Sequence, residues 1–167
     1  VKSGYWGAWD PALLLGQDIY GGTLGIIGFG RIGQAVARRA KGFGMRVLVS
    51  HAQCVSDEIL QETGAVQESF DQVITESDFL SLHVPFTGNT QHLINQGVLR
   101  RMKSTAILIN TSRGKVVDQR ALYHALKERQ IAYAALDVTD PEPLSAKDPI
   151  LALPNCLVVP HIASASV

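Results

Sequence analysis

Cysteine is scarce in this sequence: Cys54 and Cys156 stand alone among 167 residues. Two thiols so far apart supply neither a disulfide framework nor a metal-ligand spacing. Both are expected to be free thiols in a reducing compartment, with no bound metal. A surplus of one charge is also missing. Fifteen Lys and Arg balance fifteen Asp and Glu, which gives no support for a nucleic-acid or membrane-surface role. No apolar run approaches the roughly 18 residues of a membrane span, and no secretory signal opens the chain. The expected location is therefore cytoplasmic. Internal repeats and low-complexity segments are absent too. The chain opens without Met and stops at Val167 without a capping signal, which suggests one domain excised from a longer protein. What is present is 46% hydrophobic and 18% charged, ample apolar material for one core.

Residues 1–20 mix aromatic and polar residues and read as an arm or connecting segment. Trp6 and Trp9 within it are expected to pack against the domain or a partner subunit. The domain proper is expected over residues 21–167. TLGIIGFG is an apolar run ending in glycines, and so a buried strand. RIGQAVARRAKGFG has helical periodicity, with Ile32, Val36, Ala40 and Phe43 expected on one face and Gly44 as the stop. RVLVS is a second strand. Ser56 is the expected cap of a helix DEILQETG; AVQ, the helix DQVITES and the strand DFLSLHV follow. NQGVLRRM reads as helical, AILINT as a strand and DQRALYHALKERQ as a helix capped by Asp118. The strand YAALDV, a helical turn DPILAL and the strand CLVVP complete the order. Strands alternating with helices predict an α/β fold whose parallel sheet is covered on both faces. Ligands of such sheets bind beyond the carboxyl ends of the strands.

Gly28, Gly30 and Gly33 form GFGRIG between the first strand and the first helix. Gly28 permits a tight turn, Gly30 lets backbone amides approach a pyrophosphate, and Gly33 lets the helix pack close to the sheet. The free N–H groups of the helix then face the phosphates. A glycine turn without a ligand is the plain alternative. Three further strand ends carry polar groups: Thr111-Ser112-Arg113-Gly114, Thr139-Asp140-Pro141-Glu142-Pro143 and His161-Ile162-Ala163-Ser164. Arg113, Glu142 and His161 are thereby expected in one crevice. That set suits reduction of a 2-oxo acid. An Arg fork binds a carboxylate bidentately. A His donates a proton to the carbonyl oxygen, and a neighbouring carboxylate orients the imidazole and favours its charged form. Singly, each has a plainer reading: Arg113 as a surface charge, Glu142 as a solvated turn residue, His161 as a packing residue.

Taken together, TLGIIGFGRIG, LINTSRGKVVD, ALDVTDPEP and VVPHIASAS resemble the D-isomer-specific 2-hydroxyacid dehydrogenase family over about residues 12 to 167. Within it, DVTDPEPL is most similar to the glyoxylate and hydroxypyruvate reductases. The resemblance implies a Rossmann-type, doubly wound parallel sheet in three αβα layers. It also implies a separate substrate domain, absent from this sequence, without which the domain is expected to be inactive. NAD or NADP is the implied coenzyme and a small 2-oxo or 2-hydroxy acid the implied substrate. A homodimer is implied as well, with the Trp6 and Trp9 arm as its candidate contact. Residue by residue, Arg113 matches the substrate-binding Arg, Glu142 the carboxylate and His161 the proton donor. Arg31 and Ile32 match pyrophosphate contacts in the glycine loop. Val84, Pro85 and Thr90 match a segment beside the adenine and ribose. Thr111, Ser112 and Arg113 are expected at the cofactor. So are Asp137, near the nicotinamide amide, and His161, Ala163 and Ser164 beyond the last strand. His83 is given a packing or minor binding role; His92 and His124 are expected to be exposed.

One position departs from this pattern. The second strand ends Ser50-His51-Ala52-Gln53, with no Asp or Glu for the adenosine ribose and no Arg for a 2′-phosphate. Ser50 and His51 are the expected ribose contacts, with His51 either partly charged or a solvated loop residue. The expectation is use of both coenzymes, leaning to NADP. Competing readings are a phosphoglycerate, D-lactate or formate dehydrogenase, and a non-catalytic NAD(H)-sensing corepressor of the same fold.

Overall fold

A computed structural model of the chain describes Gly4, Gly7 and residues 15–166. Trp6 and Trp9 lie outside the described residues. The strands are β1 (Thr23–Ile27), β2 (Arg46–Ser50), β3 (Ala65–Gln67), β4 (Phe79–Leu82), β5 (Ile107–Asn110), β6 (Tyr133–Leu136) and β7 (Cys156–Val158). The α-helices are α1 (Arg31–Gly42), α2 (Asp57–Thr63), α3 (Phe70–Glu76), α4 (Gln96–Leu99) and α5 (Gln119–Lys127). All seven strands pair in parallel, in the order β3-β2-β1-β4-β5-β6-β7. The order reverses between β1 and β4, so the crevice at a doubly wound sheet's switch point lies beyond the ends of these two strands.

Strand periodicity decides which residues face which layer. Ile27, Leu48, Leu80, Leu82, Leu108, Ala134 and Leu136 point to one face, where α3, α4 and α5 cover them with Val73, Ile74, Leu99, Leu122 and Leu126. The alternate residues Leu24, Ile26, Val47, Val49 and Phe79 meet α1 and α2 through Ala37, Ala40, Ile59 and Leu60. Each fully buried Leu, Ile or Val contributes about 1.5–3 kcal/mol. The second layer is shorter than expected for a sheet covered on both faces. Ile109, Tyr133 and Ala135 are only half-buried and Leu157 is 51% exposed.

The expected face of α1 needs correction. Its buried residues are Gly33, Ala37 and Ala40, whereas Ile32 is 68% and Phe43 55% exposed. Only small side chains fit where this helix presses on β1 and β2. Gly44 does stop the helix, just past the cap residue Phe43, with φ +67°. Asp78 joins the start of the sheet. Its Oδ2 accepts from the Thr23 amide at 2.8 Å, and its Oδ1 pairs with Lys103 Nζ at 2.8 Å. Desolvation opposes its charge, yet Lys103 and the Thr23 amide outweigh that and hold the carboxyl below its ordinary value.

Two expected caps separate here. Asp118 accepts from the Ala121 amide at 3.0 Å, as expected of an N-cap. Ser56 occupies the N-cap of α2 but makes no side-chain cap bond. Replacing Asp118 with Ala should lose about 1 kcal/mol of stability in urea unfolding, and Ser56→Ala less than half of that.

Candidate functional site

The glycine loop runs from β1 into α1. Gly28 has φ +93°, and a Cβ there would stand 2.6 Å from the His83 carbonyl oxygen. A Cβ on Gly33 would stand 2.4 Å from the Gly28 carbonyl oxygen. Both glycines are required by the fold itself. Gly30 is different: nothing lies within 4 Å of the position its Cβ would take. A glycine with no internal reason to be one leaves room for something to approach the backbone from outside. Gly30 is the N-cap of α1 and no acidic residue stands in the helix's first turn. The first-turn amides thus present unpartnered donors and a positive dipole end to that space. This loop fits a dinucleotide pyrophosphate.

Beside the loop lies a hollow of about 650 Å³ at the ends of β1, β2 and β4, lined by Gly28, Ser50, His51, Val84, Pro85 and Thr90 among others. These are expected coenzyme contacts, brought together from three segments. Arg31 and Ile32 line a neighbouring hollow with His83. His83 has more structure around it than a packing role requires. Its Nε2 lies 2.9 Å from the Ser81 hydroxyl, and it lines both hollows. Burial pushes its imidazole below the ordinary value.

The second half of the crevice lies beyond β5, β6 and β7. His161 Nδ1 and Glu142 Oε1 are 2.5 Å apart. Both are partly exposed and line a hollow of about 530 Å³ with Asp137, Leu144, Leu151 and Val158. Arg113 shares a second hollow with Glu142, Lys115 and Phe86. It makes no bond to Glu142; its guanidinium donates to the Ser112 carbonyl at 2.6 Å, leaving most of its five N–H donors unused by that contact.

Two buried polar residues hold these side chains. Asp137 is 5% exposed. Its Oδ1 accepts from the Ile162 amide at 2.6 Å and its Oδ2 from the Ala163 amide at 3.0 Å, while its own carbonyl accepts from the His161 amide at 2.9 Å. His161 itself has φ +55°, a left-handed conformation that a non-glycine residue holds only when its surroundings enforce it. Asp137, expected at the nicotinamide amide, is thus the clamp of the His161 turn. Asn110 is the equivalent at β5. Its Nδ2 donates to the Arg113 carbonyl at 3.0 Å, and its Oδ1 accepts from the Ser112 amide and hydroxyl at 3.0 and 2.8 Å. Ser112, expected at the coenzyme, is buried with its hydroxyl spent on Asn110; its contribution is to hold the Arg113 turn. Thr111 and Ser164 are exposed, and Ala163 is anchored through its amide. Sequence reading did not single out Asn110. Its signal was a lone amide ending an otherwise apolar strand.

Other expectations resolve quickly. Burial pushes the Cys156 thiol up to about 11, and Cys54 is exposed; both are free. His92 and His124 are exposed, with His124 edge-on to Tyr123. Among the described residues no helix is long and apolar enough to cross a membrane.

With this geometry in hand, comparison with known proteins is decisive about kinship. A family model described as the NAD-binding domain of D-isomer specific 2-hydroxyacid dehydrogenases matches residues 1–163. The chain belongs to this family. It is 56% identical over 167 residues to a glyoxylate reductase of Korarchaeum cryptofilum, covering 99% of this chain and 50% of that protein. A solved structure of a Thermus thermophilus protein superposes with a TM-score of 0.91 at 47% identity, over 99% of this chain and 51% of that one. A Lactobacillus jensenii D-lactate dehydrogenase solved with NAD+ gives 0.84 at 34% identity, over 95% and 51%. The chain therefore spans about half the length of the curated relatives it matches. As the NAD-binding domain of this family it takes NAD(H) or NADP(H).

Two tests address the site itself. Asp137→Ala should raise amide hydrogen exchange at Ile162 and Ala163 at least about ten-fold, the equivalent of one lost bond of about 1.4 kcal/mol, with β1 and α1 unchanged. The lowered His83 value has a defined sign. Folding favours its neutral form, so that stability is present above the unfolded value near 6.5 and is lost as pH falls through the lower folded value. NMR titration should find His83 charging below the ordinary histidine value.

Proposed function

We propose that this chain is the coenzyme half of a D-2-hydroxyacid dehydrogenase that reduces a small 2-oxo acid, glyoxylate or hydroxypyruvate foremost. The observation that carries the reading is the His161–Glu142 pair in the crevice with Arg113 beside it. Glu142 accepts a hydrogen bond from Nδ1–H, which leaves Nε2 as the nitrogen that hands a proton to the substrate's carbonyl oxygen. Arg113 offers a planar donor fork to the substrate carboxylate, polarising the adjacent carbonyl. Asp137 and Asn110 keep the two turns in register. Bound NAD(P)H supplies the hydride. The choice between NAD(H) and NADP(H) turns on the loop after β2.

The same reading makes the protein cytoplasmic and homodimeric, and leaves this chain alone inactive. Its crevice is open where a second domain would exclude water and complete the substrate contacts. Support for glyoxylate comes from the similarity to proteins named glyoxylate reductase. The test is turnover of a panel of 2-oxo acids by the full-length protein with each coenzyme. Glyoxylate and hydroxypyruvate should be the best substrates. No turnover of any 2-oxo acid would favour a non-catalytic NAD(H) sensor.

In the full-length protein, His161→Ala should lower kcat about a hundred- to ten-thousand-fold. Its coenzyme dissociation constant should change little. An equal loss in both would make His161 structural.

A further inference from the structure

The loop after β2 is more constrained than its sequence suggested. The Gly28 amide donates to the Ser50 carbonyl at 2.9 Å. One residue on, the Phe29 amide donates to His51 Nδ1 at 3.2 Å. From the other side, Gln67 of β3 holds the same loop. Its Nε2 donates to the Gln53 carbonyl at 2.9 Å, and its Oε1 accepts from the Val55 amide at 2.8 Å. The loop is thereby tied to both the glycine turn and the neighbouring strand. Where the usual ribose carboxylate is missing, His51 supplies an acceptor for the glycine-turn amide.

That acceptor role fixes the ring's chemistry. A nitrogen that accepts from an N–H carries no proton, so the imidazole proton of His51 sits on Nε2. A second proton on Nδ1 would set two donors against each other and break the tie to Phe29. His51 is therefore a neutral donor at the mouth of the hollow. Its neighbours there, Ser50, Ala52 and Gln53, are uncharged, and no Lys, Arg, Asp or Glu among the described residues lines this hollow. A 2′-phosphate carries close to two negative charges at neutral pH and is normally met by Arg. A ribose with a free 2′,3′-diol needs only neutral hydrogen-bonding partners.

We infer that His51 is the coenzyme-selecting residue and that it selects NAD(H) over NADP(H). Its Nδ1 latches the glycine turn, and its Nε2–H serves the adenosine ribose diol. The expected leaning to NADP drew on the missing carboxylate, on hydrogen bonds from Ser50 and His51 and on a partial charge at His51; the Phe29 contact speaks against the last of these. The inference rests on the dinucleotide-site reading, not on the identity of the 2-oxo acid.

The test titrates this chain with NADH and with NADPH at pH 8, following coenzyme fluorescence. NADH should bind at least ten-fold more tightly, a difference of about 1.4 kcal/mol. His51→Arg should narrow or reverse that ratio. His51→Gln, which keeps one neutral acceptor and one neutral donor, should retain it. Long-range 1H–15N NMR of the unaltered chain should show Nδ1 of His51 unprotonated at pH 7, a readout that does not depend on any variant folding. NADPH binding as tightly as NADH, a ratio unmoved by His51→Arg in a folded variant, or a protonated Nδ1 would each overturn the inference. Binding of neither coenzyme would overturn it together with the dinucleotide-site reading. Tight NADH binding by the chain, without turnover of any 2-oxo acid by the full-length protein, would overturn only the catalytic reading.

Discussion

The tightest constraint in this molecule is the meeting of β1 and β4 at Gly28. The backbone there turns with positive φ against the His83 carbonyl, in a space that admits no side chain. That contact brings the ends of the two strands together at the switch point of the sheet. It aims the start of α1 outward and sets Gly33 against the turn, so the helix lies close enough to bury Ala37 and Ala40. The same turn offers the Gly28 and Phe29 amides to the loop after β2. Glycine loop, helix dipole and the loop after β2 are thus placed by one steric fact.

The other half of the crevice, beyond β5, β6 and β7, follows a different rule. Arg113, Glu142 and His161 are partly exposed, on turns that would wander if left to water. Each strand end spends a buried polar side chain on backbone donors of the turn that follows or lies beside it. Asn110 fixes the Arg113 turn and Asp137 the His161 turn. A carboxylate buried to 5% exposure is tolerable because both of its oxygens accept backbone hydrogen bonds. Polar burial here holds a strained histidine in place, and the hydrophobic layers serve to position the strands that carry it.

Much of this could be read beforehand, and the reasons differ by residue. Alternating apolar runs and helical segments gave every strand, most plainly β1 and β4, whose burial on both faces leaves a continuous apolar run. Gly28, Gly30 and Gly33 were legible because few backbones need three glycines at that spacing between a strand and a helix. The triad was legible because each member follows a strand, and parallel strands deliver their ends to one side. The buried face of α1 was not legible. Periodicity cannot tell a face that must bury large side chains from one that can admit only small ones, so Ile32 and Phe43 were placed inward. The holding roles of Asn110 and Asp137 were hidden because most of their partners are backbone groups, which no residue type announces.

The sequence by itself determined the order of elements and the chemical types that stand at the strand ends. Those follow from periodicities of two and 3.6 and from residues standing at strand ends. Tertiary structure alone decided which groups touch. It left Arg113 unbonded to Glu142, spent Ser112 on Asn110, and set Nδ1 of His51 against the Phe29 amide. The reason is that a side chain's donor or acceptor role depends on the partner that folding supplies, here the amide of Phe29, 22 residues away in the chain.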